Sequence, residues 1–196
     1  MAEELSEMVE GILPAGPIPL TAVQIEAARQ LHDGYMPGWN ASGAVLDVLR
    51  DARPGFDPGT VWLKVSALSA LYGPLGLAAY TNLSAAVNCT VEVMSTSPAA
   101  SAATVNAIED AMGGDAIDAY RPFASKFVHF FVPSYGAVPI YDRWARERLD
   151  YHLLGPDELG YVPDTYAEFL GKIVSLQTSV SPAPSFRELG ACPSNN

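Results

Sequence analysis

The sequence predicts an all-α protein, a compact bundle of roughly eight to ten short helices. Apolar residues recur at spacings of three and four along several segments, which is the period of a helix buried on one face. The pattern shows no alternation of strands with helices, no internal repeat and no sustained heptad. With 196 residues, of which 49% are hydrophobic, the chain is expected to fold as one domain over 1–196.

Prolines, glycines and capping residues delimit the first helices. Residues 3–13 are acidic and helical in pattern, so 1–20 is predicted to comprise an N-terminal helix and a linker. Thr21 is a good cap for a second helix that runs to Tyr35. The predicted core-facing side chains of this helix are Val23, Ala27 and Leu31.

The next segments alternate between glycine- and proline-containing turns and helices. A loop is predicted from Met36 to Ser42, followed by a helix over 43–52. Asp57 is expected to cap a further helix, with Pro58 in its first turn. Its apolar residues wrap much of the helix and are expected to be mostly core: Val61, Leu63, Val65, Leu68 and Leu71.

The remaining helices are predicted on either side of a central motif. Residues 77–94 read as a helix, although the tail of this segment, CTVEVM, alternates like a strand. Residues 103–112 form another helix, closed by Gly113 and the glycine after it. Residues 163–180 predict a capped amphipathic helix, and 188–196 a loose tail.

The central motif, from Tyr120 to Leu149, contains most of the unusual chemistry. Pro122 favours a helix start, and a stripe of phenylalanines three and four apart follows it: Phe123, Phe127, Phe130 and Phe131. Lys126 and His129 share a neighbouring face of this helix. After a turn rich in proline and glycine, Asp142 stands at the start of the next helix, RWARERL. A carboxylate at that position caps free N–H groups and stays ionised.

Charge also distinguishes this motif. The chain has 11 Lys and Arg against 22 Asp and Glu, a net charge of −11. Residues 121–148 nevertheless carry a net charge of +3, with five positive charges against two negative ones. A local basic patch can bind phosphate in an acidic protein, because salt screens charges beyond about 10 Å. The alternative is a solvated helix face with surface ion pairs.

The motif SKFVHFFVP at 125–133, followed by VPIYDRWA at 138–145, resembles the bacterial 8-oxoguanine DNA glycosylase-like proteins. These are compact relatives of the helix-hairpin-helix DNA glycosylase superfamily, and some of them act in defence against phage. The resemblance extends over roughly 61–189, but LKVSALSALYG at 63–73 and YAEFLGKIVSL with SFREL near the C-terminus are less specific matches.

The resemblance implies the helical glycosylase fold with a degenerate hairpin, since 120–125 stands where the superfamily has glycines. It implies catalytic roles for Lys126 and Asp142, which match a Lys early in the second hairpin helix and an Asp after the next turn. The chain departs from the group at two further places. Ser69 stands where an Asn is usual, and Gly-Pro-Leu follows Tyr72 where a Thr is usual.

By this resemblance, the chain would be a DNA glycosylase that excises a damaged or modified base, in repair or in phage defence. Asp142 would stabilise the positive charge that builds on the sugar. Lys126 would form a Schiff base and permit strand cleavage, provided that burial lowers its pKa enough. The implied partner is double-stranded DNA with such a base, and no cofactor or metal is implied.

Residues around this pair are the predicted DNA contacts. The candidates for holding the backbone are Arg121, Ser125, Arg143 and Arg146, and Tyr141 is the candidate for wedging into or stacking on DNA. The predicted base pocket comprises Trp39, Ser69, Tyr72 and His129. Each aromatic residue has a structural alternative, Trp39 and Tyr141 as core side chains and His129 as a satisfied helix histidine.

Three alternatives stay open. Lys126 and Asp142 would form an ion pair that joins two helices. The protein would be a non-catalytic helical binding protein on a glycosylase scaffold, as the altered hairpin, Ser69 and the acidic charge favour. It would act only as a lyase on abasic sites, through Lys126.

Other chemistries and locations are predicted to be absent. The three histidines stand singly, and Cys89 and Cys192 are too few for a metal site and are expected to be reduced thiols. No phosphate-loop or GxSxG motif occurs. A helix that spans a membrane needs about 18 consecutive apolar residues, and no apolar run in the sequence is that long. The acidic start MAEE lacks an apolar signal core, so we expect a cytoplasmic protein, and we expect a monomer.

Overall fold

The computed structural model describes residues 17, 19–35, 37–72, 80–96, 99–113, 120–132, 138–154 and 165–180, without the side chains of 31–35, 37, 39 and 80–82. These residues form eight helices and no strands, which confirms the all-α prediction. The helices are α1 (Ala22–Tyr35), α2 (Pro37–Ala52), α3 (Pro58–Tyr72), α4 (Tyr80–Thr96), α5 (Ala102–Ala111), α6 (Arg121–Phe131), α7 (Arg143–Leu153) and α8 (Tyr166–Ser179). The predicted helix over 3–13 and tail over 188–196 lie outside the described residues.

Most helices begin and end where the capping residues predict. The side-chain oxygens of Thr21, Asp57 and Thr165 each accept a hydrogen bond from the backbone N–H three residues later, at 3.1–3.3 Å. Gly113 ends α5 with a φ of +89°, a conformation that favours glycine. The strand-like alternation at 89–94 lies within α4, so helix is confirmed there.

The loop predicted from Met36 to Ser42 is wrong for its described part. Residues 37–42 are the start of α2, which begins at Pro37. Proline fits a first helical position because its φ is already helical and its missing N–H would have no partner there. The Ser42 hydroxyl donates to the Gly38 carbonyl at 2.9 Å, so it supports this first turn.

The predicted burial is also wrong for two residues of α1 and for two residues of α3. Val23 is 78% exposed and Ala27 is exposed, although both were expected on the buried side of α1. On α3, Leu63 and Leu71 are 47% and 37% exposed. This helix turns its Val61, Val65 and Leu68 face to the core, and the two leucines lie away from that face.

The helix α6 is central, since it packs against α2, α3 and α5. All four phenylalanines of the predicted stripe are buried, and the rings of Phe127 and Phe131 lie 5.3 Å apart. Burial of a side chain of this size contributes about 1.5–3 kcal/mol. The buried stripe therefore fixes the rotation of α6 and with it the direction of Lys126.

Within the part of the chain that the structure describes, no helix combines the length and the apolar character needed to cross a membrane.

Candidate functional site

Lys126 lies on α6 and Asp142 at the start of α7, close enough for the charge of the carboxylate to act on the amine. Asp142 is the N-cap of α7, and its Oδ1 accepts a hydrogen bond from the Ala145 backbone N–H at 2.7 Å. Burial lowers the pKa of Lys126, while the negative charge of Asp142 acts in the opposite direction. Among the described residues, Lys126 forms no salt bridge. The charge of the carboxylate therefore acts on the amine, but the two groups do not form an ion pair.

Three hydrogen bonds hold the segment 138–141 that leads into Asp142. The Tyr141 backbone N–H donates to the Ser125 hydroxyl at 2.9 Å. One turn further along α6, His129 Nδ1 lies 2.7 Å from the Val138 carbonyl oxygen. From α8, the Tyr166 hydroxyl donates to the carbonyl of Pro139. We call these three bonds the clasp.

The clasp includes two residues that the sequence predicted as contacts to DNA and to the base. Ser125 has no exposed surface and His129 is 2% exposed, with its ring packed edge-on against Phe130 at 4.8 Å. Their polar atoms are used on the chain itself. The geometry therefore favours positioning roles for Ser125 and His129 over a DNA contact and a base contact.

Arg121 and Tyr141, both predicted to contact DNA, lie in the interior. Arg121 is 3% exposed, and its Nε donates to Glu109 Oε2 on α5 at 2.9 Å. Its guanidinium also lies 5.2 Å from the Tyr141 ring centroid. Tyr141 is 1% exposed and packs edge-on against Phe169 at 4.9 Å. Both side chains thus make their contacts inside the fold, and their predicted contacts with DNA stay predictions.

Tyr72, one of the four predicted base-pocket residues, lies beside Lys126. The Lys126 Nζ is 5.8 Å from the Tyr72 ring centroid, and that ring is 5.5 Å from the ring of Phe130. Ser69 lies one helical turn before Tyr72 on α3, and its Oγ is buried without a hydrogen-bond partner among the described residues. Trp39 belongs to α2, but its side chain lies outside the described part.

The basic residues of α7 differ in exposure. The side chain of Arg143 is 75% exposed and pairs with Glu147 at 2.6 Å. Arg146 is partly buried, and its Nη1 lies 3.5 Å from the Tyr141 hydroxyl. Arg143 is thus available to a phosphate, whereas Arg146 contacts the buried side chain of Tyr141.

Sequence reasoning missed several residues. Tyr166 on α8 binds the Pro139 carbonyl, and Glu109 on α5 pairs with Arg121. Both partners are distant in sequence, so no local pattern predicts these contacts. Lys64 is fully buried on α3, where its Nζ donates to the Gly55 carbonyl at 2.9 Å and lies 4.4 Å from the Phe56 ring centroid. Its signal was a single charge within an apolar run, VWLKVSAL. Trp144, which directly follows the predicted arginine at 143, is 63% exposed.

Among the described residues, no three His, Cys, Asp or Glu side chains are grouped as metal ligands. Comparisons with models of protein families, with curated proteins and with solved structures found no match to this chain.

Proposed function

We propose that this protein is a DNA glycosylase that excises a damaged or modified base by breaking the N-glycosidic bond. One observation carries the proposal: the amine of Lys126 is partly buried, and the charge of Asp142, the carboxylate that caps α7, acts on it. The motifs at 125–133 and 138–145 resemble those of the bacterial 8-oxoguanine DNA glycosylase-like proteins and imply the same two residues. The motif and the geometry thus support one pair.

Asp142 suits the stabilisation of a cationic sugar. As the bond to the base breaks, positive charge builds on C1′ and O4′ of the deoxyribose, and a fixed anion nearby lowers the energy of that state. The Ala145 backbone N–H holds the carboxylate at the start of α7. The positive end of the helix dipole lies beside it. The anion is therefore in place before the substrate arrives.

Lys126 suits the role of nucleophile in a covalent route. Its neutral amine attacks C1′, and the new C–N bond replaces the bond to the base, which leaves with the electron pair and takes the amine proton. When the sugar ring opens to a protonated imine, O4′ takes a proton from water. Burial lowers the pKa of this amine and so increases its neutral fraction at a given pH.

Ser69 and Tyr72 support a pocket for the extruded base next to this amine. A flipped base needs an aromatic or apolar surface and polar partners for its edge. Tyr72 offers the ring, 5.8 Å from Lys126 Nζ, and Ser69 offers a buried hydroxyl that has no partner among the described residues. The pocket would thus lie between α3 and α6.

The test is base release from a panel of duplexes that carry oxidised, alkylated, deaminated or phage-type modified bases, and from an abasic duplex. Wild-type protein is compared with Asp142→Asn and Lys126→Gln. Release that both substitutions abolish supports the covalent route, and borohydride then traps the wild-type protein on DNA but not Lys126→Gln. Release that survives Lys126→Gln but not Asp142→Asn supports attack by water instead. Strand cleavage of the abasic duplex alone supports the lyase alternative.

A non-catalytic helical binding protein is the second candidate. The burial of Arg121, Ser125 and Tyr141 favours it, because three predicted DNA contacts are used inside the fold. The net charge of −11 also favours it, since it opposes approach to a polyanion. No base release from any member of the panel, together with no borohydride adduct, would select this candidate over the glycosylase.

A further inference from the structure

The outer face of α7 combines an exposed aromatic ring with exposed arginines. Its residues are Arg143, Trp144, Glu147, Arg148 and Tyr151, which recur at helical spacing. The opposite face of the helix holds it to the protein: Leu149 is buried in the core, and buried Asp150 pairs with Lys172 of α8 at 2.9 Å. The outer face is therefore directed away from the core.

Trp144 is the centre of this face. It is 63% exposed, and the guanidinium of Arg143 lies 5.9 Å from its ring centroid. A cation beside one side of the ring leaves the other side for a flat ligand. Arg148 lies one turn further, about 6 Å along the helix axis, which is the span of one or two nucleotides.

The arginines of the outer face are available to an anion. Arg148 is exposed and forms no salt bridge among the described residues. Arg143 pairs with Glu147, but its side chain is 75% exposed. Surface pairs of this kind contribute little, so a phosphate can replace the carboxylate at small cost.

The chemistry of the face favours a nucleic acid over a protein. Its only strongly exposed apolar group between 143 and 151 is the Trp144 ring, and no aliphatic residue belongs to it. A protein partner would bury the arginines with little apolar area in return. Single-stranded or unpaired nucleic acid instead offers bases that stack on an aromatic ring and phosphates that meet arginines.

We infer that the outer face of α7 binds a strand of DNA, with Trp144 stacked on a base and with Arg143 and Arg148 on the phosphates. This inference rests on the proposed function for its choice of DNA as the polyanion. Because Asp142 caps the same helix, the stacked base would lie next to the nucleotide that is extruded. Trp144 would then fill or border the gap that the extruded base leaves.

The test is fluorescence anisotropy of labelled oligothymidine and of a labelled undamaged duplex over a range of salt concentrations. We expect Trp144→Ala to weaken binding about tenfold and Trp144→Phe to retain most of it. Arg148→Gln should reduce the slope of log affinity against log salt by about 0.7 on the single strand. Matched controls are Arg53→Gln, another exposed arginine, and Val48→Ala, another exposed apolar residue, and both should bind as wild type.

Undamaged DNA separates this inference from the proposed function. Binding that depends on Trp144, without base release from any substrate, supports the strand surface and contradicts the glycosylase. Base release without any effect of Trp144→Ala on affinity contradicts the strand surface alone. Failure of wild-type protein to bind either DNA at low salt overturns the inference. So does a self-association, measured by sedimentation, that Trp144→Ala abolishes while DNA affinity stays unchanged.

Discussion

The Ser125 hydroxyl accepts a hydrogen bond from the Tyr141 backbone N–H at 2.9 Å. The residues that follow these two partners in the chain are Lys126 and Asp142. Together with the His129–Val138 bond, this buried bond between α6 and the segment before α7 fixes the position of the carboxylate relative to the amine. The proposed chemistry depends on a contact that touches neither reacting group.

Removal of this bond should weaken both stability and the site. Ser125→Ala leaves the Tyr141 N–H buried without an acceptor, which costs about 1–3 kcal/mol of unfolding free energy. The rate of base release should fall while DNA affinity changes little, because Asp142 loses its register and no surface group changes. Urea unfolding and single-turnover base release measure the two effects.

Ser175→Ala is the matched control for this substitution. Its hydroxyl donates to the Gly171 carbonyl at 3.0 Å on the exposed side of α8, so it should change stability by less than about 0.5 kcal/mol. An unfolding free energy of Ser125→Ala equal to that of this control would show that the bond does not contribute.

The Arg121–Glu109 pair should respond differently to single and double substitution. Their side chains are 4% and 9% exposed, so Arg121→Met leaves a buried carboxylate without its partner and should destabilise by about 3–5 kcal/mol. The double variant Arg121→Met with Glu109→Gln removes both charges and should recover most of the loss. Urea unfolding of the two single variants and the double variant gives the coupling between the residues.

The exposed pair of Arg143 and Glu147 gives the comparison for this cycle. The side chain of Arg143 is 75% exposed, so Arg143→Met should change stability by less than about 1 kcal/mol. Additive effects of Arg121→Met and Glu109→Gln would contradict a coupled interior pair.

Lys64 should make stability rise with pH in the alkaline range. Burial lowers the pKa of Lys64 from 10.5 to about 8, and the charge of Asp57 only partly opposes this. Between these two values the unfolded chain binds the proton that the folded chain releases, so the free energy of unfolding increases with pH. From pH 7.5 to 9.5 the gain should be on the order of 1–2 kcal/mol.

Lys64→Met supplies the reference for this pH dependence. It keeps the stem beside the Phe56 ring and removes the charge, so its unfolding free energy should lack the rise that wild type shows. Other groups titrate in both proteins and cancel in the difference. A difference between the two proteins that is constant from pH 7.5 to 9.5 would contradict a lowered pKa for Lys64.

The sequence predicted most helices but only part of the site, for physical reasons. Caps such as Thr165 and Asp142 act within one turn, so a local pattern suffices to find them. A loop was predicted at 37–42 because proline often follows the end of a helix, but Pro37 occupies the first position of α2 instead. Partners distant in sequence, such as Glu109 for Arg121 or Tyr166 for Pro139, depend on how helices pack and could not be predicted.

Exposure was the other limit. The sequence left Tyr141 open between a DNA contact and a core side chain and did not consider Trp144, whereas the structure buries the first and exposes the second. The direction of successive side chains follows one period inside a helix and another before it, and the change falls at the N-cap, Asp142. The position of the cap therefore decides which of the two aromatic residues is buried, Tyr141 before it or Trp144 after it. A helix start placed one residue earlier or later in the sequence would give a different prediction.

Single-turnover base release by wild type and by Asp142→Asn, on the modified duplex that wild type cleaves best, tests the proposed chemistry most directly. Asn is as good a helix cap as Asp, so the fold should be kept while the negative charge is lost. We predict that the rate of base release falls at least about 100-fold with unfolding free energy and DNA affinity close to wild type. Equal rates for the two proteins, or no release by wild type from any duplex, would contradict a glycosylase that works through Asp142.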